Sequence, residues 1–219
     1  MRRAVPGLLP GLLIGLGLAL AAPVASAQII ITPNPANTAA IAAGKEALAA
    51  MEQELASVRT AITGMETGTR QAHAYKVYAL WLEGQLALGQ ESFGAAHKPA
   101  LPLLEAKGAE AKTELAAART YTDGLRQEYI GRLSSVPLDK RTEAKAPLEA
   151  MLQAESSQIS VATQLADDFD KVKQSLAEGL KPYALFNARQ QMNVQARDMY
   201  AKAMADYSAG EDSLKKLQP

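Results

Sequence analysis

Few side chains in this sequence are of the types and spacings that catalyse reactions or bind metals. The two histidines, His73 and His97, fall in different predicted segments and form no His-x-x-His or Glu-x-x-His pair. The densest acidic cluster, Asp167, Asp168 and Asp170, lies inside a predicted helix and lacks the alternating ligands and central glycine of a calcium loop. We predict a partly buried His73, a solvated acidic helix face with local ion pairs, and no metal, cofactor or catalytic residue.

Composition narrows the function classes further. The chain has 219 residues, with 23 basic and 23 acidic side chains and no cysteine. Its charges are mixed along the sequence, whereas nucleic-acid-binding surfaces need clustered Lys and Arg, so we expect no nucleic-acid partner. Without cysteine there are no disulfides, thiolate ligands or lipid-bearing N-terminal cysteines. No phosphate-binding glycine loop follows a strand pattern, and we predict that the protein is not an enzyme.

Residues 1–27 have the pattern of a secretory signal peptide. Arg2 and Arg3 precede an apolar run over 8–22, and Ala25-Ser26-Ala27 has the small residues of a cleavage site. The apolar run is shorter than the roughly 20 residues that span a bilayer. We predict cleavage after Ala27, no transmembrane span afterwards, and a periplasmic or extracellular location; the alternative is an uncleaved N-terminal anchor.

Residues 28–37 form a predicted extended lead-in. Ile29, Ile30 and Ile31 are consecutive β-branched residues, and Pro33 and Pro35 oppose regular helix or central strand. Apolar residues on such a segment favour docking onto a neighbouring protein by strand addition. The alternative is that the triplet packs on its own domain.

The remainder, 38–219, is predicted to be one all-α domain, an elongated antiparallel bundle of four to five long helices. The helices are predicted over Thr38–Ile62, Arg70–Gly89, Leu103–Leu133, Thr142–Gly179 and Tyr183–Ser208. A coiled-coil type of seam in the first helix comprises Ile41, Leu48, Leu55, Ile62, Met51, Val58 and Met65. The buried face of the fourth comprises Leu148, Leu152, Ile159, Ala162, Phe169, Val172 and Leu176.

The second predicted helix has the broadest apolar face. It carries Tyr75, Tyr78, Trp81 and Leu82, including the only tryptophan of the chain. Aromatic side chains are enriched at the centres of protein interfaces, which makes these four residues candidates for partner binding. A helix buried on two sides of a bundle has the same pattern, so a core role is the alternative.

The stretch from Ala27 to Met65 carries a family resemblance. It joins a cleavage site, the Ile29–Ile31 run, the entry Pro33–Asn37 and an amphipathic helix that ends at Ile62-Thr63-Gly64-Met65. This combination resembles the exported TrbJ-like minor pilins of conjugative and type IV secretion systems. The resemblance implies a non-enzymatic component of the secretion apparatus, in a pilus-tip or adhesion role, with no catalytic residues.

Two functions therefore follow as expectations. The first is the secretion-system component, with envelope or pilus proteins as partners and self-association as a further option. The alternative is a periplasmic helical adaptor or chaperone that binds one envelope protein.

Overall fold

The computed structural model of the protein describes residues 35–95, 98–120 and 125–218. The predicted signal peptide and the Ile29–Ile31 triplet lie outside these residues, as does His97. The described part is entirely helical, with no strand, which confirms the all-α class. It contains α1 (Pro35–Thr63), α2 (Arg70–Phe93), α3 (Leu101–Thr120), α4 (Leu125–Ser134), a 3₁₀ turn (Leu138–Lys140), α5 (Arg141–Ala177), α6 (Pro182–Ala188) and α7 (Gln190–Lys215).

The described part contains more helices than predicted, because two of the predicted long helices each correspond to two separate helices. The predicted helix Leu103–Leu133 corresponds to α3 and α4, and residues 121–124 between them lie outside the described part. The last predicted helix is divided at Arg189, whose backbone N–H bonds to the carbonyl of Phe186, one residue short of the α-helical register. Helix α1 begins at Pro35, inside the predicted lead-in, because proline is well suited to a first helical turn.

The turn between α1 and α2 fixes the start of α2. Gly68 has φ of 83°, a left-handed conformation that side-chain-bearing residues rarely adopt. Thr69 then caps α2, since its Oγ1 accepts a hydrogen bond from the backbone N–H of Ala72 at 3.2 Å. The first two residues of the helix, Arg70 and Gln71, are thereby held in one orientation at the end of the domain.

Helix α2 is the centre of the main hydrophobic core and packs against α1, α3, α5 and α6. Trp81 and Leu88 on this helix are completely buried. A second, smaller apolar cluster lies where α5 and α7 meet the segment after α4, and it consists of Val136, Ala144, Leu148, Met151 and Leu214. In the ranges that the structure describes, no helix is both long enough and apolar enough to cross a membrane.

Candidate functional site

A cavity of about 680 Å³ lies at one end of the helical domain. Its walls come from the α1–α2 turn, the start of α2, and parts of α4, α5 and α7. The ionisable and amide side chains in its lining include Arg70, Gln71, Glu128, Arg132, Glu155 and Tyr207. Because these residues come from four helices, only the assembled fold brings them together.

Arg70 is the central charge of the cavity. Its Nε and Nη2 donate to Oε2 of Glu155 at 2.9 and 2.6 Å. Nη2 also lies 2.5 Å from Oε2 of Glu128. The side chains of Arg70 and Glu155 are only 6% and 7% exposed, so this ion pair is shielded from water. Buried charges of this kind are retained only where they are paired and hydrogen-bonded.

Arg132 extends the network to α7. Its Nε donates to Oε1 of Glu128 at 3.0 Å, and its Nη2 donates to the hydroxyl of Tyr207 at 3.1 Å. Glu128 thus accepts from both arginines, and a continuous chain of polar contacts joins α2, α4, α5 and α7.

The network shifts the pKa values of its members. Burial raises the pKa of Glu155, and the opposing effect of Arg70 does not cancel this increase. Burial lowers the pKa of Arg70, but hydrogen bonds and charges from Glu155 and Glu128 outweigh this and raise it. Burial also raises the pKa of Tyr207. Arginine keeps its proton under all ordinary conditions, so both guanidinium groups of the network stay positively charged.

Gln71 is the least satisfied polar residue at the cavity. It is 9% exposed, and its amide nitrogen Nε2 has no hydrogen-bond partner among the described residues. A buried amide donor without an acceptor is unfavourable, and native proteins contain few of them.

A separate, largely apolar groove of about 450 Å³ lies between the start of α1, the end of α2 and α6. Ile41 and Tyr183 on its rim are 47% and 54% exposed, although both are large apolar or aromatic residues. Phe93 and Pro182 complete the apolar lining, and Glu91 and Lys181 provide charges at the edge.

The aromatic residues proposed from sequence as an interface lie in the core. Tyr75, Tyr78, Trp81 and Leu82 are 6%, 1%, 0% and 1% exposed, which favours the core alternative. Tyr200 of α7 covers the two tyrosines: its ring stacks on Tyr78 with centroids 4.7 Å apart and meets Tyr75 edge-on at 4.9 Å. Binding of a partner through the four side chains would require the helices packed on α2 to move away.

The acidic cluster of α5 differs from the prediction of a solvated face. Asp168 is 2% exposed, and its two oxygens accept from Nε and Nη2 of Arg189 at 2.5 and 3.2 Å. Asp170 is exposed and pairs with Lys112 and Lys173, as expected of a surface acid. The three acids do not converge, and no group of metal-ligating side chains occurs among the described residues.

His73 is partly buried, as predicted. Its Nδ1 lies 2.5 Å from Oε2 of Glu114 on α3, and the side chain is 16% exposed. The histidine therefore joins α2 to α3.

Sequence reasoning missed the cavity. Arg70 is 58 positions from Glu128 and 85 positions from Glu155 in the sequence, so no local motif contains these residues. The Gly68-Thr69 turn and cap indicate that a helix starts at Arg70, but they do not indicate which residues its side chain contacts. Comparison with protein-family models, curated proteins and solved structures finds no match for this chain.

Proposed function

We propose that this protein is an exported, non-enzymatic helical component of a conjugative or type IV secretion apparatus, in a minor-pilin or pilus-tip role. The observation that carries the proposal is the succession in residues 1–65 of an export pattern, a short β-branched run and an amphipathic helix. The family resemblance rests on the same residues. The partners would be envelope or pilus proteins outside the cytoplasm.

The apolar groove is the surface on which we expect such a partner to bind. Ile41 and Tyr183 expose large apolar surface there, and burying it against a protein would be favourable. The oppositely charged Glu91 and Lys181 at the groove edge suit a protein segment with apolar side chains and flanking charges of both signs.

The ion pairs of the cavity are consistent with a non-enzymatic role. The carboxylates of Glu155 and Glu128 are engaged by Arg70 and Arg132. A general base needs a free carboxylate or imidazole within reach of a substrate proton, and these two carboxylates are held in ion pairs.

The test is a conjugation assay with groove variants. Tyr183→Ser and Ile41→Ser should reduce DNA transfer between cells with only a small change in melting temperature, because both side chains are about half exposed. Leu138→Ser is the matched control, since Leu138 is 79% exposed and lies in a different part of the domain. Photo-crosslinking from position 183 should capture a pilus or channel subunit.

Two outcomes would contradict the proposal. If the groove variants transfer DNA as well as the control does, the groove is not the relevant surface. If the crosslinked partner is an envelope protein unrelated to secretion, and transfer is unaffected, the adaptor or chaperone function is favoured instead.

A further inference from the structure

We propose that the end of the helical domain that contains the apolar groove binds a second copy of this chain, in a weak dimer with twofold symmetry. We call this surface the groove end, and its exposed apolar residues are Ile41, Leu101, Leu103, Leu180 and Tyr183. The inference goes beyond the secretion-system role and does not depend on it, because it rests on the exposed apolar side chains and the charges of this surface.

The first argument is the concentration of exposed apolar side chains at the groove end. Five of the nine large ones among the described residues lie there, and they are 38–54% exposed. The groove adjoins the start of α3, because Oε2 of Glu91 in its lining accepts a hydrogen bond at 2.7 Å from the backbone N–H of Ala100, directly before Leu101. Apolar surface concentrated in this way favours association with another protein surface.

The second argument is charge. Lys181 lies at the groove beside Tyr183, and Glu105 lies four residues after Leu101, on the same face of α3. Both charged side chains are exposed, and neither has an ion-pair partner among the described residues. Each apolar part of the groove end, the groove and the start of α3, is therefore accompanied by one available charge, and the two charges have opposite signs.

These two parts complement each other across a twofold axis. In a twofold dimer the same surface is used by both copies, so a contact between two different residues occurs twice. The concave groove of each copy would receive Leu101 and Leu103 of the other copy. Lys181 would then meet the Glu105 of the other copy, and the oppositely charged pair would form on both sides of the axis.

The size of the surface predicts a weak dimer. A stable interface buries about 800 Å² of each partner and involves roughly 20–30 residues of each, which is more than the groove end provides. We expect a Kd of about 10–100 µM. The chain is then a monomer at about 1 µM, where thermal and denaturant unfolding are commonly measured.

The first test is sedimentation equilibrium of the purified chain, expressed from its complete sequence, over about 5–500 µM. A monomer–dimer equilibrium is expected. Tyr183→Ser should raise the Kd of the dimer about tenfold or more, because the side chain of each copy loses its burial. Leu138→Ser is the matched control: Leu138 is 79% exposed and does not belong to the groove end, so this variant should dimerise as the parent does.

Exchange of the two charges tests the pairing itself. Lys181→Glu and Glu105→Lys each place like charges opposite one another twice in the dimer, so each variant alone should have a Kd about tenfold or more above that of the parent. An equimolar mixture of the two variants restores both pairs of opposite charge, and it should form a heterodimer about as strong as the parent dimer.

Lys145→Glu is the control for net charge. It makes the same change as Lys181→Glu at an exposed position near the start of α5, about 50 Å away along that helix, and it should dimerise as the parent does.

Four results would each overturn the proposal. A chain that stays monomeric over the whole concentration range has no such contact, and growth beyond the dimer indicates head-to-tail contacts without a twofold axis. Equal effects of Tyr183→Ser and Leu138→Ser would place the dimer contact elsewhere, and so would a mixture of the charge variants that remains monomeric. These measurements contain no secretion proteins, so their outcome is separate from that of the conjugation assay.

Discussion

At the scale of single residues, buried charged side chains form ion pairs that connect one helix to another. Three charged side chains are among the buried residues of the described part, namely Arg70, Glu155 and Asp168, and each is in an ion pair. Asp168 on α5 fixes Arg189, the residue between α6 and α7. Removing one member of such a pair leaves an uncompensated charge in a poorly hydrated site.

Asp168→Asn should therefore be strongly destabilising. The side chain of Arg189 is only 12% exposed and would lose its carboxylate. We expect the free energy of unfolding to fall by about 3–5 kcal/mol, measured by urea denaturation.

The control for this change is the preceding residue. Asp167→Asn makes the same substitution on an exposed position of the same helix, and its effect should stay within about 0.5 kcal/mol. Equal effects of the two variants would show that the buried pair contributes nothing specific.

At the scale of elements, close helix approach depends on glycines beneath one aromatic ring. Phe169 of α5 packs on Gly84 of α2 and on Gly108 of α3. A Cβ atom at Gly84 would lie 2.8 Å from the ring and one at Gly108 would lie 3.1 Å from the Phe169 Cβ. The three helices can meet at this point only because these two positions have no side chain.

Gly84→Ala should lower the melting temperature, because the ring of Phe169 must move to admit the methyl group. Overpacking of this kind costs about 1–3 kcal/mol, which outweighs the roughly 0.5–1 kcal/mol that alanine gains over glycine within a helix. Gly131→Ala in α4 is the matched control: a Cβ there meets nothing within 4 Å, and it should raise stability by about 0.5–1 kcal/mol. The melting temperatures of both variants are measured by thermal unfolding. A higher melting temperature of Gly84→Ala would contradict the close contact between Gly84 and Phe169.

Acid should loosen the contact between α1, α2 and α3. Glu83 of α2 pairs with Arg59 of α1 at 2.7 Å and with Lys107 of α3 at 2.8 Å. Burial raises the pKa of Glu83, but the hydrogen bonds from Lys107 and Arg59 lower it by more. The pKa of Glu83 in the folded protein therefore lies below its ordinary value of 4.5. Its contribution to stability is complete above that value and disappears as the pH falls through the folded pKa.

Glu83→Gln should accordingly flatten the dependence of the melting temperature on pH below about 4.5, where the parent loses this contribution. Glu105→Gln, at an exposed position of α3, should leave the pH profile of the parent unchanged. Parallel profiles for the parent and Glu83→Gln would mean that the two ion pairs do not contribute to folding.

At the scale of the whole helical domain, the core is divided into a large and a small cluster. The large cluster surrounds α2 and includes Trp81, Leu104 and Phe169. The small cluster has only five buried members, among them Val136 and Leu214, and lies between α5, α7 and the segment after α4. Regions with fewer buried apolar contacts open at lower free energy.

Hydrogen exchange should resolve this difference. Backbone amides in the middle of α2 should exchange only through global unfolding, whereas those around Ala144 and Leu148 at the start of α5 should exchange faster. Mass spectrometry or NMR of the native protein measures both regions at once. Equal protection would mean that the two clusters unfold as one unit.

Sequence periodicity anticipates much of this arrangement. In α1 the predicted seam residues Met51, Leu55 and Val58 are buried, while Ile41 of the same seam is exposed at the groove. Helical spacing shows which face of a helix is apolar, but not where along its length another helix covers that face. Most of the predicted buried face of α5 is likewise buried, including Phe169.

Two features that escaped prediction depend on contacts between distant residues. The division at Arg189 accompanies its pairing with Asp168, which lies on another helix. The cavity network joins Arg70 to Glu155 across 85 positions. Neither spacing is periodic, and polar residues at these positions are indistinguishable in sequence from ordinary surface charges.

The complete burial of Trp81 gives the chain an intrinsic optical reporter. It is the only indole in the sequence and has no exposed surface, so its fluorescence should be blue-shifted and protected from acrylamide quenching. A red shift would then specifically signal separation of the helices around α2.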